Sequence, residues 1–238
     1  MNEQQNNQGK RPTQVFNVII LDKSGSMSSI RDAAIDGFNE TLAGIQAAQE
    51  QYANTQQHYV SLVTFCSHGT EKVFDKAPVA EVCRLTREDY RPCCTTPLYD
   101  AMGFTLTDMQ EYVRRIDDSA VVVTIITDGL ENASREYSGK DVKALVDQLK
   151  GNGWSFTYMG ANQDAVEVAQ SLHIRNARNF DYSNEGTRCS MAKDRSTRMK
   201  FFQKLHDFRE DDTVECMPAP QRAERYSAMA DEAFDEEA

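Results

Sequence analysis

The sequence predicts an α/β fold, a doubly wound and mostly parallel β-sheet flanked by helices. Apolar runs of strand length, such as VFNVIILD and AVVVTIIT, alternate with segments whose apolar residues recur every three or four positions. The runs are apolar at nearly every position, which is typical of strands covered by helices on both faces. Strands that alternate with helices form βαβ units and therefore parallel sheets.

Each predicted element is placed by its periodicity and by signals at its ends. Ser29 and Asp32 have the spacing of a capping box at the start of the first helix. Ser138 and Asp141 repeat that spacing further along, and Thr96 is the expected N-cap of the helix that starts at residue 98. The predicted elements are strands at 15–22, 59–66, 70–74, 120–127, 154–159 and 180–182, and helices at 29–50, 98–116, 138–150, 164–172 and 185–208.

Charge divides the chain into a nearly neutral body and an acidic end. The net charge is −11, of which residues 207–238 carry −8 through 11 acidic and 3 basic side chains. We therefore predict a disordered polar lead at 1–13, a folded domain at 14–182, a helical extension at 183–208 and an acidic tail at 209–238. We expect the tail to be solvated and to keep the protein soluble.

Composition argues against several classes of protein. No apolar run approaches about 18 residues, so we expect no membrane span. The polar start lacks the apolar core of a secretory signal, and we expect a cytoplasmic protein. The acidic end would repel nucleic acids, and no basic patch compensates for it. The six cysteines have neither disulfide nor zinc-ligand spacing and are expected to be reduced thiols, while the four histidines are expected at the surface or at strand ends.

Oxygen-bearing side chains follow two of the predicted strands and precede one helix. They are, in chain order, Asp22, Ser24, Ser26, Thr96 and Asp128. Ligands of open α/β sheets bind at the carboxyl ends of the strands, so we expect these side chains to meet at one edge. A set of carboxylates and hydroxyls without His or Cys suits Mg²⁺, Mn²⁺ or Ca²⁺ rather than zinc. Because two carboxylates cannot fill an octahedral shell, such an ion would keep waters or accept an outside carboxylate.

The order of these motifs resembles a known family. DKSGS at 22–26, TPLYDA at 96–101 and TDG at 127–129 match the metal-ion-dependent adhesion site (MIDAS) of von Willebrand factor A (vWA) domains. The resemblance covers roughly residues 13–182, and YMGANQD at 158–164 is similar to bacterial and phage members of cytoplasmic type. It implies a Rossmann-like vWA fold.

The resemblance also implies a function and a role for each residue. It implies a non-enzymatic adaptor that captures a protein partner through a divalent cation. Ser24, Ser26 and Thr96 would coordinate the ion, and Asp22 and Asp128 would act directly or through water. The sixth position would accept an Asp or Glu of the partner. The oligomeric state is left open.

The sequence also leaves alternatives open. Where the family has glycine before the metal threonine, this chain has Cys94 and Thr95, which restrict the backbone that glycine would leave free. One alternative is a structural or assembly protein with a vestigial metal site. Another is a phosphotransferase, which is disfavoured because Ser24 stands where a second aspartate would be needed. The acidic tail could also occupy the metal site of its own or a neighbouring chain.

Overall fold

The computed structural model describes residues 11–128, 130–160, 164–180 and 183–236, and it confirms the predicted fold class. Six strands form one sheet in the order β3-β2-β1-β4-β5-β6, and all neighbours are parallel except the β2–β3 hairpin. The strands are β1 (Thr13–Asp22), β2 (Gln56–Cys66), β3 (Gly69–Pro78), β4 (Ser119–Thr127), β5 (Trp154–Gly160) and β6 (Asn176–Asn179). The helices are α1 (Arg31–Gln51), α2 (Leu98–Val113), α3 (Gly139–Lys150), α4 (Asp164–Ser171), α5 (Asn184–Glu210) and α6 (Ala219–Asp235).

Helices cover both faces of the sheet and create two apolar layers. Ile19 and Leu21 of β1 pack with α1, α5 and α6, whereas Val18 and Ile20 pack with α2, α3 and α4. This alternation follows from the two-residue period of a strand. Because α1 and α2 lie on opposite faces, the strand order changes direction between β1 and β4, which is where α/β sheets bind ligands.

Two of the predicted caps are wrong. Ser29 lies inside a short 3₁₀ helix, Gly25–Ile30, and its hydroxyl donates to the carbonyl of Ser26 at 3.1 Å, so α1 begins only at Arg31. Thr96 is not the N-cap of α2, because that position belongs to Pro97. The tight turn after β1 moves the start of α1 to Arg31, whereas α2 begins at residue 98 as predicted. The capping box of Ser138 and Asp141 is confirmed at the start of α3.

The last strand lies earlier in the chain than predicted. The strand predicted at 180–182 is wrong in position, since β6 pairs with β5 over Asn176–Asn179. Phe180 follows it as a buried core residue, and residues 181–182 lie outside the described residues. Of the lead predicted at 1–13, residues 1–10 lie outside the described residues, while Thr13 is buried in β1.

The acidic end is not simply solvated. Its helix α6 buries Tyr226, Met229 and Ala233 against the core that α1 and α5 share. The Tyr226 hydroxyl donates to Asp118 Oδ1 at 2.9 Å, just before β4 begins. That contact lies at the edge of the sheet opposite Asp22, so α6 does not fill the predicted metal site of its own chain. The division of the chain at residues 182 and 208 stays a prediction.

Candidate metal site

Asp22 ends β1 with its side chain fully buried between β2 and β4. Its Oδ1 accepts a hydrogen bond from the backbone N–H of Ser24 at 2.6 Å, and its Oδ2 accepts one from the Thr127 hydroxyl at 2.6 Å. The first bond closes an Asx turn, which lets the chain leave the strand sharply. The two bonds fix the carboxylate at the carboxyl edge of the sheet.

Two serines connect Asp22 to the second predicted carboxylate. The hydroxyls of Ser24 and Ser26 lie 3.2 Å apart, and Ser26 donates to Asp128 Oδ1 at 2.7 Å. Asp128 is buried at the end of β4, whereas Ser26 is exposed. The structure thus brings four of the five predicted side chains into one hydrogen-bonded cluster that opens to solvent at Ser26.

Thr96, the fifth predicted residue, is buried and is held by its backbone. Its N–H donates to Asn132 Oδ1 at 3.0 Å, and its carbonyl accepts from the Asn132 N–H at 3.1 Å. On its other side, the Cys94 carbonyl accepts from the Gly25 N–H at 3.0 Å. The loop before α2 is therefore hydrogen-bonded both to the loop at residues 22–26, called the serine loop below, and to the segment after β4.

Cys94 adopts the backbone conformation that is expected of the family's glycine. Its φ is +67°, in the left-handed region that side chains other than glycine, asparagine and aspartate rarely enter. Cys94 therefore carries conformational strain at a position where glycine would carry none. The sequence left open whether Cys94 would prevent a left-handed backbone in this loop, and the structure shows that it does not.

Burial raises the pKa of both carboxyl groups. Burial raises the pKa of Asp22 to about 6. Hydrogen bonds from Thr127 and Ser24 act to lower this pKa, and the nearby charge of Asp128 raises it. Burial likewise raises the pKa of Asp128, against the lowering effect of the Ser26 hydroxyl. Such shifts arise when charged groups leave water without a compensating charge. Among the ion pairs of the described residues, none involves Asp22, so a divalent cation fits the electrostatics of this donor set.

Three supporting residues were missed by sequence reasoning. The Thr127 hydroxyl donates to the Asp22 carboxylate, and the side chain of Asn132 accepts from the Thr96 N–H. The Tyr90 hydroxyl donates to the carbonyl of Asp22. Thr127 adjoins Asp128 in the sequence and could have been found there. Tyr90 and Asn132 carry no such signal, because only the fold brings their loops to the edge of the sheet. Gly129 of the TDG motif lies outside the described residues.

No protein-family model matches the chain, and none of the curated proteins compared with it matches either. Solved structures do match. The pilus adhesin SpaC from Lactobacillus rhamnosus GG has a TM-score of 0.56 at 14% identity, over 82% of this chain and 31% of the adhesin. The chain therefore spans about a third of that protein.

Two further structures identify the fold. Proximal thread matrix protein 1 from the mussel byssus, with a zinc-occupied MIDAS motif, has a TM-score of 0.52 at 12% identity, over 79% of this chain and 46% of that one. The VWA domain of SpRpn10 has a TM-score of 0.50 at 11% identity, over 76% of this chain and 95% of that domain. The chain has the vWA fold. In the part of the chain that the structure describes, no helix has the length and apolarity needed to cross a bilayer.

Proposed function

We propose that this protein is a non-enzymatic adaptor that captures an acidic residue of a protein partner through a divalent cation. Asp22, Ser24, Ser26, Thr96 and Asp128 would hold the cation, with Mg²⁺ expected and Mn²⁺ or Ca²⁺ as substitutes. The observation that carries the proposal is the cluster, open to solvent at Ser26, in which Ser24 and Ser26 connect Asp22 and Asp128. Burial raises the pKa of both carboxyl groups. The zinc-occupied MIDAS of the mussel protein supports a metal in this fold.

Each residue would have a distinct part in the site. The hydroxyls of Ser24 and Ser26 are neutral ligands, which leave the cation strongly positive toward an incoming carboxylate. Asp22 and Asp128 would balance the charge from the buried side, directly or through water. When bound, the cation supplies the positive centre that the partner's Asp or Glu recognises.

The surroundings of the cluster leave room for a partner. A groove lined by Thr95, Pro97, Phe104 and Asn132 lies beside Thr96. Phe104 is half exposed, with 49% of its surface accessible, as is Leu130, two residues after Asp128, at 51%. Exposed apolar side chains around a polar centre are typical of protein-binding surfaces. This arrangement favours a protein over a small substrate.

The first test measures the cation alone. Mn²⁺ and Mg²⁺ are titrated into metal-free protein by calorimetry, comparing the native chain with Asp22→Asn and Asp128→Asn. We expect one site in the native chain and at least about a tenfold weaker affinity in both variants, since each loses a charged ligand. Asp108→Asn is the matched control, because Asp108 is an exposed carboxylate paired with Lys72 and Lys76.

The second test measures capture. Protein partners are recovered on the immobilised chain with Mg²⁺ or with EDTA, and each recovered partner is then tested with its acidic residues replaced. Recovery should require Mg²⁺, fail with Asp22→Asn and persist with Asp108→Asn. Equal cation affinity in all variants would refute the metal site. Capture that survives both EDTA and Asp22→Asn would favour an assembly protein with a vestigial site.

A further inference from the structure

Sulfur and imidazole side chains converge where β2 ends. Cys66 Sγ lies 3.7 Å from Cys93 Sγ, and His68 Nδ1 lies 3.9 Å from Cys93 Sγ. These three ligand atoms all fall within 4.8 Å of one another. Cys94 Sγ lies 3.6 Å from the same nitrogen of His68. The fold therefore assembles a cluster that the spacing of these residues in the sequence does not reveal.

The Cys66–Cys93, His68–Cys93 and His68–Cys94 distances are close to those of a tetrahedral zinc site, and Cys94 Sγ lies outside the group of three ligand atoms that fall within 4.8 Å of one another. Zinc bonds of about 2.3 Å to sulfur and about 2.0 Å to nitrogen place neighbouring ligand atoms about 3.5–3.8 Å apart. A disulfide would instead bring two sulfurs to about 2.05 Å, and all six cysteines are free. Thiolate and imidazole ligands select zinc over Mg²⁺ or Ca²⁺, so this cluster and the Asp22 cluster suit different metals.

Backbone bonds hold the two segments of the cluster together. The Ser67 N–H donates to the Thr95 carbonyl at 3.0 Å, and the Thr95 N–H donates to the Ser67 hydroxyl at 3.3 Å. The β2–β3 turn, with Cys66 and His68, is therefore fixed against the loop that carries Cys93. Preorganisation of this kind lowers the cost of gathering ligands around an ion.

The backbone of Cys94 gives independent support. A residue other than glycine at φ +67° is strained, and such strain persists where the surrounding structure and a function maintain it. Glycine would hold the same turn without strain, but it has no thiol. In this chain the strained residue presents its sulfur to His68. A role for the sulfur accounts for a cysteine at a position that suits glycine.

We infer that Cys66, His68, Cys93 and Cys94 bind a zinc ion, in a site separate from the Asp22 cluster. The three thiols would bind as thiolates and release their protons to solvent. Bound zinc would fasten the β2–β3 turn to the loop before α2. It would also stabilise the Asp22 loop, because the Cys93 N–H donates to the Lys23 carbonyl at 2.8 Å. The inference does not depend on the proposed adaptor function.

The test uses the full chain, freed of metal and kept in a phosphine reductant. Co²⁺ is titrated first, because thiolate–cobalt charge transfer absorbs in the near ultraviolet and oxygen ligands do not produce that band. Zn²⁺ is then added to displace the cobalt. We expect one thiolate-bound Co²⁺ per chain, displaced by one Zn²⁺. Cys93→Ser should lower Zn²⁺ affinity at least about 100-fold, since even outer-shell substitutions cost about 10–100-fold.

Several variants keep the result interpretable. Cys93 is only partly buried, so its substitution avoids the folding defect that buried Cys66 could cause. Cys216→Ser, at an exposed cysteine elsewhere, is the matched control and should bind normally. Cys94→Ser should lose part of the charge-transfer intensity, and an unchanged band would remove Cys94 from the ligand set. Asp22→Asn should keep the full band, which separates the two metal sites.

Two results would overturn the inference. One is the absence of thiolate–cobalt absorption in the native chain under reducing conditions. The other is an unchanged Zn²⁺ affinity in Cys93→Ser. Loss of the band in Asp22→Asn would refute the separation of the sites.

Discussion

The buried carboxylate of Asp22 should destabilise the metal-free protein at neutral pH, and Asp22→Asn should remove that cost. The pKa of Asp22 is raised from 3.8 to about 6, mainly by burial. Below pH about 3.8 the side chain is protonated whether the chain is folded or unfolded, and its full contribution to stability is present. As the pH rises through about 6, the folded state must ionise a group that the unfolded state ionises more easily, and that contribution is lost.

The size of the effect follows from the shift. One pKa unit corresponds to about 1.4 kcal/mol, so the shift of Asp22 amounts to about 3 kcal/mol of lost stability above pH 7. Asparagine has nearly the same shape and stays neutral. Its oxygen can accept from the Ser24 N–H, and its amide can donate to the Thr127 hydroxyl oxygen. We therefore expect Asp22→Asn to raise the free energy of unfolding by about 3 kcal/mol at pH 7.5.

Urea denaturation in EDTA, followed by circular dichroism between pH 4 and 8, measures this difference. The gain should nearly vanish at pH 4, where the native Asp22 is protonated. Asp108→Asn is the control of opposite sign, because Lys76 and Lys72 lower the pKa of Asp108 and its loss should cost under about 1 kcal/mol. A variant at Asp22 that is no more stable than the native chain at pH 7.5, or a gain that does not depend on pH, would refute the reasoning.

Mg²⁺ should narrow this difference in stability if the proposed site exists. A ligand at 100 times its dissociation constant adds about 2.7 kcal/mol to the folded state that binds it. The native chain should gain that amount, while Asp22→Asn should gain little. The same substitution would then stabilise the metal-free fold and impair binding, which is the exchange of stability for function that active sites often show.

Three further outcomes follow from the structure, each measured by urea or thermal denaturation. Arg198→Ala should cost about 3–5 kcal/mol, because it leaves the buried Asp194 without its ion-pair partner, whereas Arg188→Ala at an exposed pair should cost under about 1 kcal/mol. Gly153→Ala should lower the free energy of unfolding by at least about 1–2 kcal/mol, because its φ is +84° and the new Cβ would lie 2.4 Å from the carbonyl oxygen of Ala223. Gly151→Ala is the control, because its φ of −60° suits alanine. In EDTA, Cys94→Gly should exceed Cys94→Ala in stability by about 1 kcal/mol, and equal stabilities would mean that the left-handed turn is not strained.

The fold class and the location of the site could be predicted because both depend on strands that are apolar throughout. Such strands can only lie inside a covered parallel sheet, and their ends therefore define one edge. Asp22 ends one of these strands and Asp128 directly follows another, so their proximity was predictable from position alone. The hydrogen bonds that join them through Ser26 were not, because they depend on the 3₁₀ turn that replaces the predicted helix start.

The acidic end shows how composition can conceal packing. Tyr226, Met229, Ala233 and Phe234 recur at helical spacing and form the buried stripe of α6. The stripe was present in the sequence, but the surrounding acids favoured a solvated tail. Lys204 of α5 forms ion pairs with Glu232 and Glu236, so part of the negative charge of α6 is balanced by a neighbouring helix. In this segment the helical spacing of apolar residues was a better guide to packing than the net charge.

The loop from Cys93 to Thr96 explains why the two candidate metal sites lie side by side. Cys93 and Cys94 bond to the serine loop, Thr95 bonds to the β2–β3 turn, and Thr96 bonds to the segment after β4. Each contact is made by a peptide group, and these groups follow one another without a flexible residue between them. A shift of the backbone at Cys93 and Cys94 would therefore act on Thr96 through consecutive peptide groups. Cys94→Gly would loosen this connection while preserving the turn, so the position of Thr96 should become less sensitive to what the thiols bind.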